Sequence, residues 1–215
     1  MRLRQVEKAF DHPDYIFELK HDGFRAVVYL QKGECKILSR NLNDLRFASL
    51  KEALAKLPVQ NAILDGEIVC LDKNGVSRFY QLLGHKGTPV YYAFDLLWLN
   101  GEDLRTKPLL ERKETLRALI RSSTCTRILY AQHVERYGKR FFKEICGWDL
   151  EGIVAKRKRS VYKNDGIGWI KIKNRIFSGR RAARVAERTS KREIIVVRSS
   201  VTLISFSQRN SLAPM

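Results

Sequence analysis

Short apolar runs separated by turn residues are the feature that most constrains the fold of this 215-residue chain. The runs are rich in β-branched and aromatic residues, and Lys32-Gly33, Asp72–Gly75 and Asn100-Gly101 between them are typical of turns joining antiparallel strands. We expect strands over residues 15–20, 25–31, 34–38, 63–71, 90–97, 128–134, 152–157 and 169–173.

Three other segments carry apolar residues at steps of three and four, which predicts helices over 46–57, 108–122 and 137–147. Strands and helices follow one another in a mixed order, and there is no internal repeat. A doubly wound sheet would need a regular alternation of strand and helix. The order therefore predicts an α+β fold of antiparallel sheets with flanking helices.

Composition narrows the class of protein. Apolar residues make up 44% of the chain, as in globular proteins, and no apolar run approaches the roughly 20 residues that span a bilayer. The net charge of +18 favours binding to a polyanion such as a nucleic acid rather than to a membrane. The four cysteines are scattered without a Cys-x-x-Cys pair, which favours free thiols and a cytoplasmic location.

Lys20 begins a segment that combines an amine, a carboxylate, a glycine and a guanidinium within six residues. The segment is Lys20-His21-Asp22-Gly23-Phe24-Arg25, directly after a predicted strand. A lysine is a nucleophile only when its amine is unprotonated, and neighbouring cations or a dry pocket favour that form. The alternative is a strand end followed by a turn with solvated charges.

Two more segments place charged residues at strands. Ser39-Arg40 follows a strand, where a hydroxyl and a guanidinium suit phosphate contact, or where the arginine is simply exposed in a loop. Asp65 and Glu67 share one strand face. Because apolar residues surround Glu67, we expect it to have a partner such as a ribose hydroxyl, a metal or a cation. The alternative is a structural turn with an ion-paired glutamate.

The remaining segments combine aromatic and charged residues. Phe94 could stack on a base while Asp95 binds hydroxyls or orders a neighbour, although a core phenylalanine is the common alternative. The side chains of Lys171 and Lys173 point to the same side of one strand. A bound phosphate would relieve the repulsion between their ammonium groups. Glu151 is a candidate ligand for a divalent metal. The alternative for these last residues is the polar strand face of a basic protein.

Taken in order, these segments resemble the nucleotidyltransferase core of ATP-dependent DNA ligases, especially the ligase domain of bacterial end-joining ligases. The resemblance covers about residues 10–175. Its motifs are matched by Lys20–Arg25, Ser39-Arg40, Asp65-Gly66-Glu67, Phe94-Asp95, Glu151-Gly152 and Lys171-x-Lys173. It implies a nucleotidyltransferase (ATP-grasp-like) fold with the ATP site between the sheets, and an adenylation domain over residues 1–174.

The resemblance also implies roles for single residues. Lys20 would attack the α-phosphate of ATP, form lysyl-AMP and pass AMP to a DNA 5′-phosphate before the nick is sealed, in DNA repair or recombination. The implied ATP-binding residues are Glu18, Arg25, Arg40, Glu67, Phe94, Lys171 and Lys173. Glu151 and Glu67 would bind Mg²⁺ or Mn²⁺, and nicked or broken double-stranded DNA would be the partner in a nucleoid-associated protein. His21 stands at a variable position of the motif and is given no role.

The tail departs from the family pattern. An oligonucleotide-binding (OB) barrel usually follows the Lys-x-Lys motif, whereas residues 175–215 are predicted to be a basic tail, truncated or degenerate in its place, or complemented by a separate chain or end-joining factors. Residues 174–215 hold nine Lys/Arg and two Asp/Glu. Short strands or disorder are both open for residues 191–207. The alternatives in function are an RNA ligase or capping-type nucleotidyltransferase, and a non-catalytic DNA-binding remnant.

Overall fold

The computed structural model describes residues 3–84, 87–163 and 168–177, and these residues form eleven strands and four helices. In chain order the elements are β1 (Arg4–Val6), β2 (His12–Leu19), β3 (Phe24–Gln31), β4 (Glu34–Ser39), α1 (Ala48–Leu54), β5 (Asn61–Cys70), α2 (Phe79–Leu83), β6 (Pro89–Leu99), β7 (Glu102–Asp103), α3 (Leu109–Ser122), β8 (Ile128–Tyr130), β9 (His133–Arg136), α4 (Gly138–Gly147), β10 (Gly152–Arg157) and β11 (Trp169–Lys173). None of these described helices is long and apolar enough to cross a bilayer.

The strands form two sheets. One has the order β1-β11-β10-β2-β9, and the other has the order β4-β3-β5-β6-β7 with β8 added beside β6. Within the described ranges the pairing is antiparallel except at β1–β11 and β6–β8. The predicted α+β fold of antiparallel sheets with flanking helices is confirmed.

Each sheet covers one apolar face with its own helices. The five-stranded sheet packs on α4, and its buried apolar residues are Tyr15, Phe17, Phe141, Ile145, Ile153, Ala155 and Ile172. The six-stranded sheet packs on α1 and α3, whose buried leucines Leu50, Leu54, Leu116 and Leu119 join the larger core. Because both apolar faces are used in this way, the two remaining faces are free to carry charged residues.

Those remaining faces point toward each other. The Lys156 ammonium of β10 lies 4.3 Å from the ring centroid of Phe94 in β6. The Arg25 guanidinium of β3 lies 5.5 Å from the ring centroid of Trp169 in β11. The space between the sheets is thus lined by charged and aromatic side chains, which is where the resemblance located the ATP site.

One predicted element is wrong. Residues 128–134 are not a single strand, because β8 pairs with β6 in one sheet while β9 pairs with β2 in the other. The chain crosses between the sheets at Ala131-Gln132. The predicted tail segments lie outside the described residues, except for residues 175–177.

Candidate active site

Lys20 is fixed by its backbone as well as by its side chain. It follows β2, and its N–H donates to the carbonyl of Gly152 at 2.9 Å. This bond sets the side chain beside Glu151, whose Oε2 accepts a hydrogen bond from Lys20 Nζ at 2.6 Å. The Glu151 side chain is 4% exposed and that of Lys20 is 22% exposed. The amine therefore lies in a largely buried ion pair and not in open solvent.

Two glycines allow this arrangement. Gly152 has a φ of +142°, and a Cβ there would lie 2.2 Å from the carbonyl oxygen of Ile172. A Cβ on Gly23 would lie 2.2 Å from the carbonyl oxygen of Ile68. Both motif glycines are therefore required by close backbone contact, which brings Lys20 up against β5 and β10.

A cavity of about 470 Å³ surrounds the Lys20 amine, lined by Lys20, His21, Asp22, Gly23, Glu67, Phe79, Tyr80 and Glu151. Burial raises the pKa of Glu67 to about 8, although the attraction of Lys20 and Arg25 opposes that effect. The nearby Glu151 carboxylate adds to the rise in this pKa. Lys20 thus shares its cavity with the carboxylates of Asp22, Glu67 and Glu151.

These carboxylates fit a divalent cation. Mg²⁺ is usually bound through one or two carboxylates together with substrate phosphates rather than in a cage made of protein alone. Glu67 and Glu151 are two carboxylates at one cavity, as in the first kind of site. The chemistry of the donors is therefore right for the predicted metal.

Replacing Glu67 with glutamine should stabilise the protein at alkaline pH when no divalent ion is present. Its pKa is about 8 in the folded chain against an ordinary 4.5, so the folded state holds the proton more tightly. The stability that Glu67 contributes is complete below about pH 4.5 and is lost as the pH rises through about 8. We expect Glu67→Gln to gain more than about 1 kcal/mol at pH 8.5 and little at pH 4.

Urea denaturation in the presence of a chelator measures this effect. Glu52→Gln is the matched control, because Glu52 is exposed on α1. An equal gain at both pH values, or an equal gain in the control, would contradict the assignment of a buried, proton-holding Glu67.

Arg25 is held by Asp65 of β5, which is held in turn by Tyr162. Its Nη2 donates to Asp65 Oδ2 at 2.6 Å and its Nε donates to Oδ1 at 3.1 Å. The Tyr162 hydroxyl donates to the same Asp65 Oδ2 at 2.8 Å. Asp65 is fully buried, so of the two motif carboxylates it is the structural one, while Glu67 faces the cavity. Tyr162 stands outside the motifs, and the sequence carried no signal for it.

Phe94 owes its position to a β-bulge. Asp65 lies opposite Asp95 and Gly66 lies opposite Ala93, so Phe94 is an extra residue without a cross-strand partner. A bulge redirects a side chain, and here the half-buried ring meets the edge of Trp169 at a centroid distance of 5.4 Å. Phe94 thus lines the space between the sheets and is not part of the apolar core clusters.

Asp95 has a different fate from its neighbour. Its carboxylate is fully buried and binds Arg112 of α3 through two hydrogen bonds of 2.8 Å. Of the two roles considered for it, ordering a neighbour is the one that the geometry supports.

Glu18 is placed by two lysines. It is 3% exposed, and its Oε1 lies 2.5 Å from Lys113 Nζ while its Oε2 lies 2.6 Å from Lys156 Nζ. Burial would raise the pKa of Glu18, but the attraction of Lys113 and then of Lys156 outweighs it and the pKa falls below its ordinary value. Sequence reasoning missed Lys113. The available signal was its spacing on one helix face with Leu109 and Leu116.

The other predicted residues are spread around this centre. Lys171 and Lys173 are half-buried on β11, opposite Val154 and Gly152 of β10. Arg40 is exposed just after β4 and does not line the Lys20 cavity. It lies near the Arg25 end of the sheet, because Ser39 pairs with Ala26.

His21 also lines the cavity. Its ring stacks on Tyr92 with a centroid distance of 4.0 Å, and burial lowers its pKa to about 4. The imidazole is therefore neutral near pH 7 and adds no positive charge beside Lys20.

The family follows from a match over most of the chain. Residues 1–173 match the family described as "ATP dependent DNA ligase domain". The chain belongs to this family. In this ATP-dependent DNA ligase domain, the sequence motifs that carry the resemblance contain Lys20, Gly23, Glu67, Glu151 and Gly152.

The relatives of this ligase domain are longer proteins. It is 34% identical to the multifunctional non-homologous end joining protein LigD of Pseudomonas aeruginosa over 74% of this chain and 20% of that protein. It is 33% identical to a DNA ligase of Pyrobaculum calidifontis over 74% of this chain and 30% of that protein. The chain therefore spans about a fifth to a third of their length.

A solved structure agrees with the fold. The ligase domain from M. tuberculosis LigD superposes with a TM-score of 0.70 at 27% identity, covering 80% of this chain and 60% of that one.

Proposed function

We propose that this domain transfers adenylyl groups from ATP to DNA ends. Lys20 Nζ attacks the α-phosphorus of ATP, a phosphoramidate bond forms, and the bond to the β-phosphate breaks so that pyrophosphate leaves. An oxygen of the 5′-phosphate at a nick then attacks the phosphorus of lysyl-AMP, a phosphoanhydride bond forms, and the P–N bond breaks so that the Lys20 amine leaves. The 3′-hydroxyl attacks that phosphate, a phosphodiester bond forms, and AMP leaves.

The observation that carries the proposal is the setting of the Lys20 amine. It is held 2.6 Å from the buried Glu151 carboxylate and faces a cavity that Glu67 also lines. The amine must lose a proton before it attacks, and Glu151 is the group that accepts its hydrogen bond. Splitting the condensation into exchanges between activated phosphates makes each barrier lower.

The remaining roles follow the order of the motifs. Lys171 and Lys173 would hold the α-phosphate and offset the charge that develops in the transition state. Phe94 and Glu18 would hold the adenine, and Arg25 and Glu67 the ribose. Arg40, exposed at the end of β4, would contact the phosphate side or the nicked end.

A divalent cation would complete the site. Glu151 and Glu67 would hold Mg²⁺ or Mn²⁺, which when bound neutralises charge on the phosphate oxygens that the amine approaches. Glu67 must give up its proton for this, so its elevated pKa makes metal binding stronger as the pH rises toward 8.

Two further observations support the substrates. A mycobacterial DNA ligase D complexed with ATP superposes with a TM-score of 0.67 at 26% identity. The net charge of +18 suits a DNA partner. The name of the Pseudomonas aeruginosa relative favours a role in end joining, in which a separate chain would supply an OB-fold or end-joining factors would be partners.

Mass spectrometry after incubation with ATP and Mg²⁺ tests the proposal. We expect one added adenylyl group on Lys20, removed by acid, and none on Lys20→Ala. The matched control is Lys36→Ala, because Lys36 is exposed on β4 of the other sheet and should leave the yield unchanged. If wild type gains no adenylyl group and also fails to seal a preadenylylated nick, the proposal is wrong.

A further inference from the structure

Lys113 is a buried cation that no sequence motif contains. It lies on α3 and is 1% exposed, although the free energy of burying an ammonium is high unless it is fully paired. A lysine in this position needs a reason beyond packing, since a leucine or methionine would fill the same space without that cost.

The Lys113 ammonium has three partners, which are two oxygen atoms and one aromatic ring. Nζ donates to Glu18 Oε1 at 2.5 Å and to the carbonyl of Ala131 at 3.0 Å. It also lies 4.5 Å from the ring centroid of Tyr130. The ammonium is therefore fully used by the protein, and no donor is left over for a ligand.

Lys156 is the second cation beside Glu18. It lies 2.6 Å from Glu18 Oε2 and against the faces of Phe94 and Trp169, at 4.3 and 3.8 Å from their centroids. It thereby holds the Glu18 carboxylate close to the Phe94 ring. A carboxylate offers about four lone-pair positions, and the lysines occupy one on each oxygen.

We propose that Lys113 is a positioning residue for base selection, which keeps Glu18 as a hydrogen-bond acceptor for the 6-amino group of a purine. A site built in this way takes 6-amino purine nucleotides and rejects 6-oxo purine nucleotides, whose oxygen would face the carboxylate. The inference rests on the proposed function in one respect, namely that Glu18 and Phe94 hold the base.

The charge of Glu18 decides this selectivity. An ionised carboxylate only accepts hydrogen bonds, whereas a protonated one also donates and would accommodate a 6-oxo group. With two cations on its oxygens the ionised form is favoured. With Lys113 removed, one cation remains in a buried site, and the carboxyl group becomes free to protonate and to turn.

Equilibrium binding of ATP and of inosine triphosphate, which carries a 6-oxo group in place of the 6-amino group, tests the inference. We expect wild type to bind ATP at least about tenfold more tightly than inosine triphosphate. Lys113→Met should bring the ratio below about threefold, and Lys113→Arg, which keeps the charge, should keep most of it. Arg121→Met, at an exposed position on the same helix, is the matched control and should keep the full ratio.

The Glu18→Gln background separates positioning from folding. An amide both donates and accepts, so Glu18→Gln should lose the preference by itself, and adding Lys113→Met should change the ratio no further. This double variant leaves no unpaired carboxylate, and it supplies the comparison if Lys113→Met alone does not fold.

The outcomes are separate from those of the proposed function, because binding is measured without any covalent step. Preference for ATP without adenylation would contradict the enzyme and keep the inference. A wild type without preference, a Lys113→Met variant with the wild-type ratio, or a ratio in the Glu18→Gln background that still depends on Lys113 would overturn it.

Discussion

Arg112→Ala is expected to destabilise the domain by about 3–5 kcal/mol, because it leaves a buried charge without its partner. Arg112 and Asp95 are both fully buried and share two hydrogen bonds of 2.8 Å. The same guanidinium donates through Nη1 to the carbonyls of Lys107 and Ser160, at 2.5 and 3.0 Å. One substitution thus strands a carboxylate and two carbonyl oxygens.

Urea denaturation measures the loss in the free energy of unfolding, and two further variants show its cause. Arg121→Ala removes an exposed arginine from the same helix, and we expect a change of less than about 0.5 kcal/mol. Asp95→Leu combined with Arg112→Met replaces the ion pair by apolar groups and should recover most of the stability. A loss below about 1 kcal/mol in Arg112→Ala would show that the pair does not hold α3 to the sheet.

This ion pair also connects the core to the site. Asp95 directly follows the bulged Phe94, and Arg112 ties that point of β6 to α3 and to the segment near Ser160. The next residue on the helix, Lys113, holds Glu18. Two consecutive residues of α3 therefore support the proposed base site. Arg112 holds the strand that bears Phe94, and Lys113 holds the carboxylate of Glu18.

The elements with a clear periodicity were predictable from the sequence. The helix predicted over 108–122 is observed as Leu109–Ser122, and the strand predicted over 152–157 has the same bounds in the structure. The prediction of a single strand over 128–134 was wrong, because an apolar run does not reveal that the chain changes sheets within it. Proline usually interrupts a strand, yet β2 begins at His12 and contains Pro13. The register with β9 shifts between His12 and Ile16, and at such an irregularity a strand tolerates proline.

The sequence motifs predicted only part of what the structure brings together. Lys20, Glu67 and Glu151 line one cavity, whereas the predicted residues that are not among its lining residues are Glu18, Arg25, Arg40, Phe94, Lys171 and Lys173. The supports of the site were not predictable, since Lys113 and Glu18 lie 95 positions apart and only the folded topology brings them together. A lysine or arginine on the buried face of an apolar helix indicates a buried acidic partner, although the sequence does not identify that partner.

The second large effect separates the nucleophile from the phosphate-holding lysines. Lys20→Ala should abolish adenylation from ATP, yet seal a preadenylylated nick within about tenfold of wild type, because the last step needs no amine. Lys171→Ala and Lys173→Ala should each slow both reactions by about 10²–10³. The α-phosphate is attacked during adenylation and leaves with AMP during sealing, so negative charge develops on it in both reactions. Gel analysis of a labelled strand measures sealing, with Lys36→Ala as the exposed control.

The contrast between these variants is more informative than any single loss of activity. A misfolded variant fails in both reactions, and so does one that has lost its phosphate contacts, but only a variant that lacks the nucleophile fails in the first alone. If Lys171→Ala sealed the preadenylylated nick at the wild-type rate, this lysine would act in nucleotide binding and not in the transition states. If Lys20→Ala lost both reactions while remaining folded, the amine would be needed beyond its covalent role. The hydrogen bond that it donates to Glu151 Oε2 would then account for the loss, because the substitution removes the cation that pairs with this buried carboxylate.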